Sequence, residues 1–363
     1  MNRRTFLHTA GLTLPLLHPD AWAGVKNRFY DRLQPAVRGG GFQMDDYWVW
    51  CGSAVRGEDN RYHLFASRWP KALAFHPHWL SNSEIVRAVA DRPEGPYQFE
   101  ERVLAPRDAR FWDGRMTHNP TIHRHGDKFL LFYIGLTFDG PAPTPATPLV
   151  HGSERMVWMR GRQRIGLAVA DSVRGPWRRP DQPLLDVAPA GAWDSYLVSN
   201  PAPCVRPDGS VLLVYKGTGG PKARLNMGVA GADHYAGPYR RLSPNPIFDL
   251  QKTHVEDGYC WHERGRYWMV MKDMTGDLCG EKHAGILVSS REGVRWEIAQ
   301  PPLAYSRTLR WDDGTTTTQG QLERPQLLME NGTPTHLFFA TGDGPGGFDR
   351  MTRSWNLVVP LRH

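Results

Sequence analysis

Thr121-Ile122-His123-Arg124-His125-Gly126-Asp127-Lys128-Phe129-Leu130-Leu131-Phe132-Tyr133 reads as a short strand, a glycine-containing turn and a second strand rich in aromatic and branched residues. The same unit recurs. Ala54-Val55-Arg56-Gly57-Glu58-Asp59-Asn60-Arg61-Tyr62-His63-Leu64-Phe65 precedes it, and Cys204-Val205-Arg206-Pro207-Asp208-Gly209-Ser210-Val211-Leu212-Leu213-Val214-Tyr215 follows. Cys260-Trp261-His262-Glu263-Arg264-Gly265-Arg266-Tyr267-Trp268-Met269-Val270-Met271 is the fourth copy, and Gln326-Leu327-Leu328-Met329-Glu330-Asn331-Gly332, running on to Leu337-Phe338-Phe339, is the fifth. Self-similarity at a roughly constant period is the mark of a repeat architecture.

Each of the first four hairpins is followed by an apolar strand, a polar turn and Gly-Pro-aromatic or a relic of it: Gly95-Pro96-Tyr97, Gly175-Pro176-Trp177, Gly237-Pro238-Tyr239 and Gly293-Val294-Arg295-Trp296. These supply strands three and four. A four-stranded unit of this size cannot bury both faces alone, so it stacks on its neighbours, and radial closure protects the edges. The expected fold is therefore all-β, a five-bladed β-propeller over residues 24–363. Strand number alone would also permit an open pair of β-sandwiches. Closure is expected between Trp355-Asn356-Leu357-Val358-Val359 and an N-terminal strand ahead of the first hairpin. The interval between the second and third units is the place of a Pro-rich loop, Pro141 to Pro148, expected to wall one side of a cleft.

Composition agrees with this reading. The chain has 37 Gly, 30 Pro, 14 Trp, 12 Tyr and 14 Phe among 363 residues, which suits short strands and tight turns. Residues 1–23 read as a signal peptide of twin-arginine type: Arg3-Arg4-Thr5-Phe6-Leu7, an apolar run to Leu17, then Ala21-Trp22-Ala23. The apolar run is too short to span a bilayer, so no membrane anchor is expected after cleavage, and the protein is expected in the periplasm or outside the cell. Cys51, Cys204, Cys260 and Cys279 lack metal-site spacing and read as packing residues. Net charge is +7. Its basic residues are dispersed, which argues against nucleic acid and leaves an anionic polysaccharide open. A monomer is expected.

In a propeller the innermost strands line an axial channel, so polar residues at the start of each hairpin converge on one mouth. Trp112-Asp113 precedes Asn119-Pro120 as Trp193-Asp194 precedes Asn200-Pro201, with the same spacing. Equivalent positions carry Glu256-Asp257 in blade four and Glu323-Arg324-Pro325 in blade five, while blade one offers Asp45-Asp46 just upstream of Trp48 and Trp50. Hydrolysis of a glycosidic bond needs one protonated acid for the leaving oxygen and one ionised carboxylate to activate water or attack carbon. Crowded acids raise the pKa of the donor, and Trp and Tyr stack on sugar faces.

On these residues the chain resembles the five-bladed glycoside hydrolases of the clan containing family 43 arabinofuranosidases and xylosidases and family 32 invertases. The resemblance implies a general acid at the start of blade four. Glu256-Asp257-Gly258, nine residues before Gly265-Arg266-Tyr267, offers Glu256 for that role. The family's base at blade one falls on Cys51-Gly52, so Asp46, or else Asp45, is the nearest replacement. Its third acid falls on Asn200, which shifts that role to Asp194 or Asp113. His118, Asn119, Asn200, Asp257, Glu323, Arg324, Trp50 and His283 complete the candidate set as substrate-binding residues. His283, in Glu281-Lys282-His283-Ala284-Gly285, would face a central calcium ion or water in the channel as the resemblance implies; no other cofactor is expected.

The expected function is hydrolysis of a poly- or oligosaccharide. A sugar-binding propeller without catalysis, and a phosphorylase or lyase on the same scaffold, are the competing readings. No Ser-His-Asp, Cys-His or phosphate-cradling Gly-rich motif stands in its required context, which argues against esterases and nucleotide enzymes.

Overall fold

The computed structural model describes residues 26–248, 254–344, 348 and 350–362. The expected twin-arginine leader, residues 1–23, lies outside the described residues. Among the described residues no helix is long and apolar enough to cross a membrane.

The chain is a five-bladed β-propeller. Blade I is a meander of β1 (Tyr47–Arg56), β2 (Tyr62–Pro70), β3 (Glu84–Ala90) and β4 (Gln98–Leu104). Blade II contains β5 (Met116–His125), β6 (Lys128–Leu136) and β7 (Arg164–Ala170), and its fourth strand is reduced to bridges such as Val169 with Arg178. Blade III runs through β8 (Leu197–Val205), β9 (Val211–Thr218), β10 (Asn226–Ala232) and the two-residue β11 (Arg240–Arg241). Blade IV is β12 (Val255–Glu263), β13 (Arg266–Asp273), β14 (Gly285–Ser290) and β15 (Glu297–Tyr305). A small hairpin, β16 (Thr308–Arg310) and β17 (Thr316–Thr318), leads to β18 (Glu323–Glu330), β19 (Thr333–Gly342) and β20 (Ser354–Pro360) of blade V.

Blade V takes its outer edge from the start of the chain, as the sequence leads one to expect. Gln43 bridges Trp355, the Asn356 N–H donates to Phe42 O at 2.8 Å, and the Val37 N–H donates to Val358 O at 3.2 Å. The ring is sealed by one apolar layer at each of the five seams. Phe65 and Ile85 meet Ile122 and Leu131; Ile134 and Ile165 meet Val198 and Leu213; Val214 and Val229 meet Met269 and Val288. Val270 and Leu287 meet Leu337 and Phe339, and Val49 and Val86 meet Leu328 and Phe338. These strands are hydrophobic on both faces because each sheet is covered on both sides by a neighbour.

The Gly-Pro-aromatic turn recurs with one geometry. Gly95, Gly175, Gly237 and Gly293 have φ between 85° and 91°, a region that disfavours a Cβ. The ring that follows then folds back, so that Tyr97 Oη donates to Pro93 O at 2.8 Å and Tyr239 Oη donates to Tyr235 O at 3.0 Å.

Two inserts sit on one rim. α1 (Phe75–Asn82) interrupts blade I, and α2 (Glu154–Arg160), capped by Ser153 Oγ accepting from the Met156 N–H, interrupts blade II. The Pro-rich run beside α2 packs against α1, with Asn82 Nδ2 donating to Pro143 O at 3.0 Å.

Candidate active site

All five innermost strands, β1, β5, β8, β12 and β18, carry the same irregularity. Pairing with the second strand breaks between Trp50 and Ser53, His118 and Thr121, Ser199 and Ala202, Glu256 and Tyr259, and Glu323 and Gln326. The unpaired positions are Cys51-Gly52, Asn119-Pro120, Asn200-Pro201, Asp257-Gly258 and Arg324-Pro325. The first residue of each pair has a left-handed backbone, φ 55°, 51°, 49°, 57° and 53° in turn. Such backbone is costly for any residue but glycine and, like bulges, concentrates at functional sites. A bulge also cancels the alternation of a strand, so consecutive side chains reach the same mouth: His118 with Asn119, Ser199 with Asn200, Glu256 with Asp257, and Glu323 with Arg324 all line one cavity of about 230 Å³.

The bulge residues form a belt around the axis. Cys51 Sγ donates to Asn119 Oδ1, Asn119 Nδ2 donates to Asn200 Oδ1 at 2.7 Å, and Asn200 Nδ2 donates to Asp257 Oδ1 at 2.6 Å. Arg324 Nη1 lies 3.5 Å from Asp257 Oδ1, and the Arg324 guanidinium also faces the Cys51 thiol. Burial pushes that thiol up to about 12, so Cys51 is a packed donor and not a nucleophile.

Glu256 and Glu323 occupy equivalent places on adjacent blades, and each is met by a lysine from the second strand of the blade before it. Lys216 Nζ is 3.0 Å from Glu256 Oε2, and Lys272 Nζ is hydrogen-bonded to Glu323 Oε1. Register confirms the equivalence: Lys216 pairs with Ser199 on β8 as Lys272 pairs with Glu256 on β12. The two carboxyls nevertheless differ. Burial opposes ionisation of Glu256, but Lys216 and His254, the latter 3.0 Å from Oε1, outweigh it and hold the carboxyl well below the usual range. At Glu323 burial dominates, Asp257 and Glu256 add repulsion, and the pKa is raised in spite of Lys272. His118, buried with Nδ1 2.8 Å from Ser83 Oγ, is driven down to about 3 by burial and the nearby Arg324, so it is a neutral hydrogen-bonding group.

Aromatic rings wall one side. Trp50 and Trp69 each pack on Phe75 with centroids 4.9 Å apart, Phe348 stacks on Phe75 at 5.4 Å, and Trp79 lies 5.2 Å from His118. Beside them α2 sends Arg160 into the cavity, its guanidinium 5.9 Å from the Trp79 ring centroid, followed by Gln163. The insert at blade II thus walls the cleft through its helix, while its Pro-rich run buttresses α1.

Of the residues anticipated from sequence, Trp50, His118, Asn119, Asn200, Glu256, Asp257, Glu323 and Arg324 line this cavity. Asp45 and Asp46 do not. They are exposed and line a separate hollow with Tyr97, Trp311 and Trp355, because the turn into β1 carries them outward before the strand reaches the axis. Asp113 and Asp194 are also elsewhere, buried inside their blades in matching clamps. Asp113 accepts from Tyr133 Oη at 2.8 Å and pairs with Arg107 at 2.6 Å and Arg179 at 3.4 Å. Asp194 accepts from Tyr215 Oη at 2.9 Å and pairs with Arg241 at 2.7 Å. The neighbouring Trp112 and Trp193 stack on the same tyrosines. The repeated Trp-Asp motif is therefore a device that ties the first loop of a blade to its second strand and to the Arg that follows Gly-Pro-aromatic.

His283 lies beside Lys272, Lys282 and Arg307, and burial with these cations lowers it to about 4. Calcium takes oxygen ligands, and these surroundings do not fit one. Among the described residues no cluster of three or more His, Cys, Asp or Glu side chains is arranged to hold a metal. All four cysteines are free thiols. Sequence reasoning missed Arg160, Lys216, Phe75, Trp79 and Phe348; only Lys216 left a signal, through its equivalence with Lys272.

No protein-family model and no curated protein matches the chain. Solved structures do. A family 117 glycoside hydrolase, Zg3597, of the marine bacterium Zobellia galactanivorans superposes with TM-score 0.60 at 16% identity, over 91% of this chain and 90% of that one. A thermostable family-43 glycoside hydrolase gives TM-score 0.55 at 13% identity, over 87% and 89%. A GH43_1 enzyme from Xanthomonas citri gives 0.53 at 16% identity, over 91% of both. At these identities the likeness is one of fold, and the fold is the five-bladed propeller of these enzymes.

Proposed function

We propose that the protein hydrolyses an O-glycosidic bond in a poly- or oligosaccharide, with Glu323 as proton donor and Glu256 as the ionised carboxylate. One observation carries this reading: two glutamates at equivalent positions of adjacent blades share one cavity but are pushed to opposite proton affinities, which is how an acid and a base are told apart. Glu323 retains its proton for the leaving oxygen. Glu256, kept ionised by Lys216 and His254, activates water or attacks the anomeric carbon. This reverses the role expected for Glu256 from sequence, because its cationic neighbours suit a base and not a donor. The aromatic wall stacks on a sugar face, and a cavity of about 230 Å³ suits one terminal ring, hence removal of sugars from a chain end. The twin-arginine leader would put this activity outside the cytoplasm.

Purified protein incubated with plant and bacterial polysaccharides should release reducing sugar. Glu256→Gln and Glu323→Gln should each lower kcat by ~10²–10⁴. Undiminished turnover in either variant removes that residue from the mechanism, and an ultraviolet-absorbing unsaturated product would mean elimination instead of hydrolysis. The charge pairing of each glutamate with a lysine favours a second reading, a sugar-binding propeller without chemistry. Saturable binding with no release from any glycan would establish it.

A further inference from the structure

The most unusual group in the cavity is Arg324. Its side chain is 1% exposed, and Nε, Nη1 and Nη2 make no well-formed hydrogen bond to an oxygen among the described residues; the Cys51 thiol, a weak partner, is the other group they face. A buried guanidinium in this state is costly, since five N–H groups have been withdrawn from water and the nearest carboxylate oxygen stands 3.5 Å away. Buried charges are normally paired, so the shortfall points to a partner that arrives with the ligand.

Charge bookkeeping across the site points the same way. With Glu256 and Asp257 ionised, two negative charges face four positive ones on Lys216, Lys272, Arg324 and Arg160, and even an ionised Glu323 would bring the negative charges only to three. Lys216 is neutralised by Glu256, and Lys272 is held by its hydrogen bond to Glu323. Asp257 is shared between Lys216 at 3.8 Å and Arg324, and it already accepts from Asn200. Arg160 has no ion pair among the described residues; burial lowers its pKa, and Glu256 only partly offsets that. The cavity therefore holds a surplus cation, presented from two sides, by the axis and by α2.

We propose that the sugar bound in this cavity carries an anionic substituent, and that it is a carboxylate: the substrate is a glycan ending in a uronosyl residue, its carboxylate met by Arg324 and Arg160. The flat guanidinium pairs with a carboxylate in bidentate fashion, which makes the carboxylate the better fit than a sulfate ester among anions that share this chemistry. The proposal rests on the reading of the cavity as a sugar site and is independent of whether the bond is cut there.

The test compares uronate-terminated oligosaccharides with the same oligosaccharides after reduction of the carboxyl to a primary alcohol, and with sulfated neutral oligosaccharides. Binding is read by calorimetry on Glu323→Gln and turnover on the wild type. The uronate should bind at least about tenfold more tightly than its reduced form, and Arg160→Gln should lower that ratio of the two affinities by about tenfold, whatever it does to the binding of both ligands together. Arg324→Gln should abolish the preference; if that variant does not fold, Arg160→Gln decides, because α2 lies outside the blades. Equal binding of uronate and reduced forms overturns the proposal, as does a preference for the sulfated ligand or no binding of any. Uronate-selective binding without turnover sustains the proposal and overturns hydrolysis; turnover of neutral glycans alone does the reverse.

Discussion

Asn119 Nδ2 donates to Asn200 Oδ1 at 2.7 Å, across two innermost strands whose bulges are 81 residues apart in sequence. The bond gives the axial belt a direction. Each amide accepts from the blade before and donates to the blade after, and the series ends on Asp257, which as a carboxylate can only accept. An acid at either asparagine position would break the sequence of donors. This is a physical reason for amides where the resembling family places a carboxylate.

Asn200→Ala should therefore remove two buried hydrogen bonds and strand a donor on Asn119. The expected loss is about 1–3 kcal/mol in denaturant unfolding, and Asn200→Asp should be no better tolerated at neutral pH, since it sets two carboxylates side by side. An alanine variant as stable as the parent would show that the belt does not hold the ring.

Asp194→Ala should leave Arg241 and Tyr215 without their shared acceptor inside blade III. Breaking a buried pair on one side costs about 3–5 kcal/mol. The melting temperature should fall while kcat of the folded protein at 25 °C is unchanged. A normal melting temperature with lost turnover would return Asp194 to the chemistry.

Asp45→Ala and Asp46→Ala should be silent. Both side chains are exposed and away from the axial cavity, and surface changes of this kind stay within about 0.5 kcal/mol. A large fall in kcat/KM for either would mean that the axial cavity is not where the bond is cut.

The dependence of kcat/KM on pH should be bell-shaped and unusually broad. Activity requires Glu256 ionised, so the acid limb follows a carboxyl held below the ordinary range by Lys216 and His254. It also requires Glu323 protonated, so the alkaline limb follows a carboxyl raised by burial and by Asp257 and Glu256. Lys216→Met should move the acid limb to higher pH, because the cation that favours the ionised form is gone. An unmoved limb would show that Glu256 does not set it.

Five hairpins, three Gly-Pro-aromatic turns and the relic of a fourth at Gly293 made the propeller legible, because each is a local signal repeated along the chain. The site was legible where it follows the repeat: Asn119, Asn200, Asp257 and Arg324 each stand shortly ahead of a hairpin, at the entry to its blade. Blade I broke the pattern, since Cys51 occupies the bulge, and the nearest acids in sequence, Asp45 and Asp46, point elsewhere. Trp112-Asp113 and Trp193-Asp194 show that a true repeat need not be a functional one. Arg160, Phe75 and Trp79 come from inserts whose placement depends on tertiary packing, which no periodicity records.

The pairing of Phe42 and Gln43 with Asn356 and Trp355 joins the earliest-made part of the ring to the last. At ordinary synthesis rates those partners leave the ribosome on the order of tens of seconds apart. Until then residues 37–43 lack their partner and leave an open edge, the kind that recruits strands from other molecules. Trimming a few residues from residues 37–43 or from β20 should unzip this same seam, and early termination of translation should yield a sticky, half-built wheel prone to aggregate.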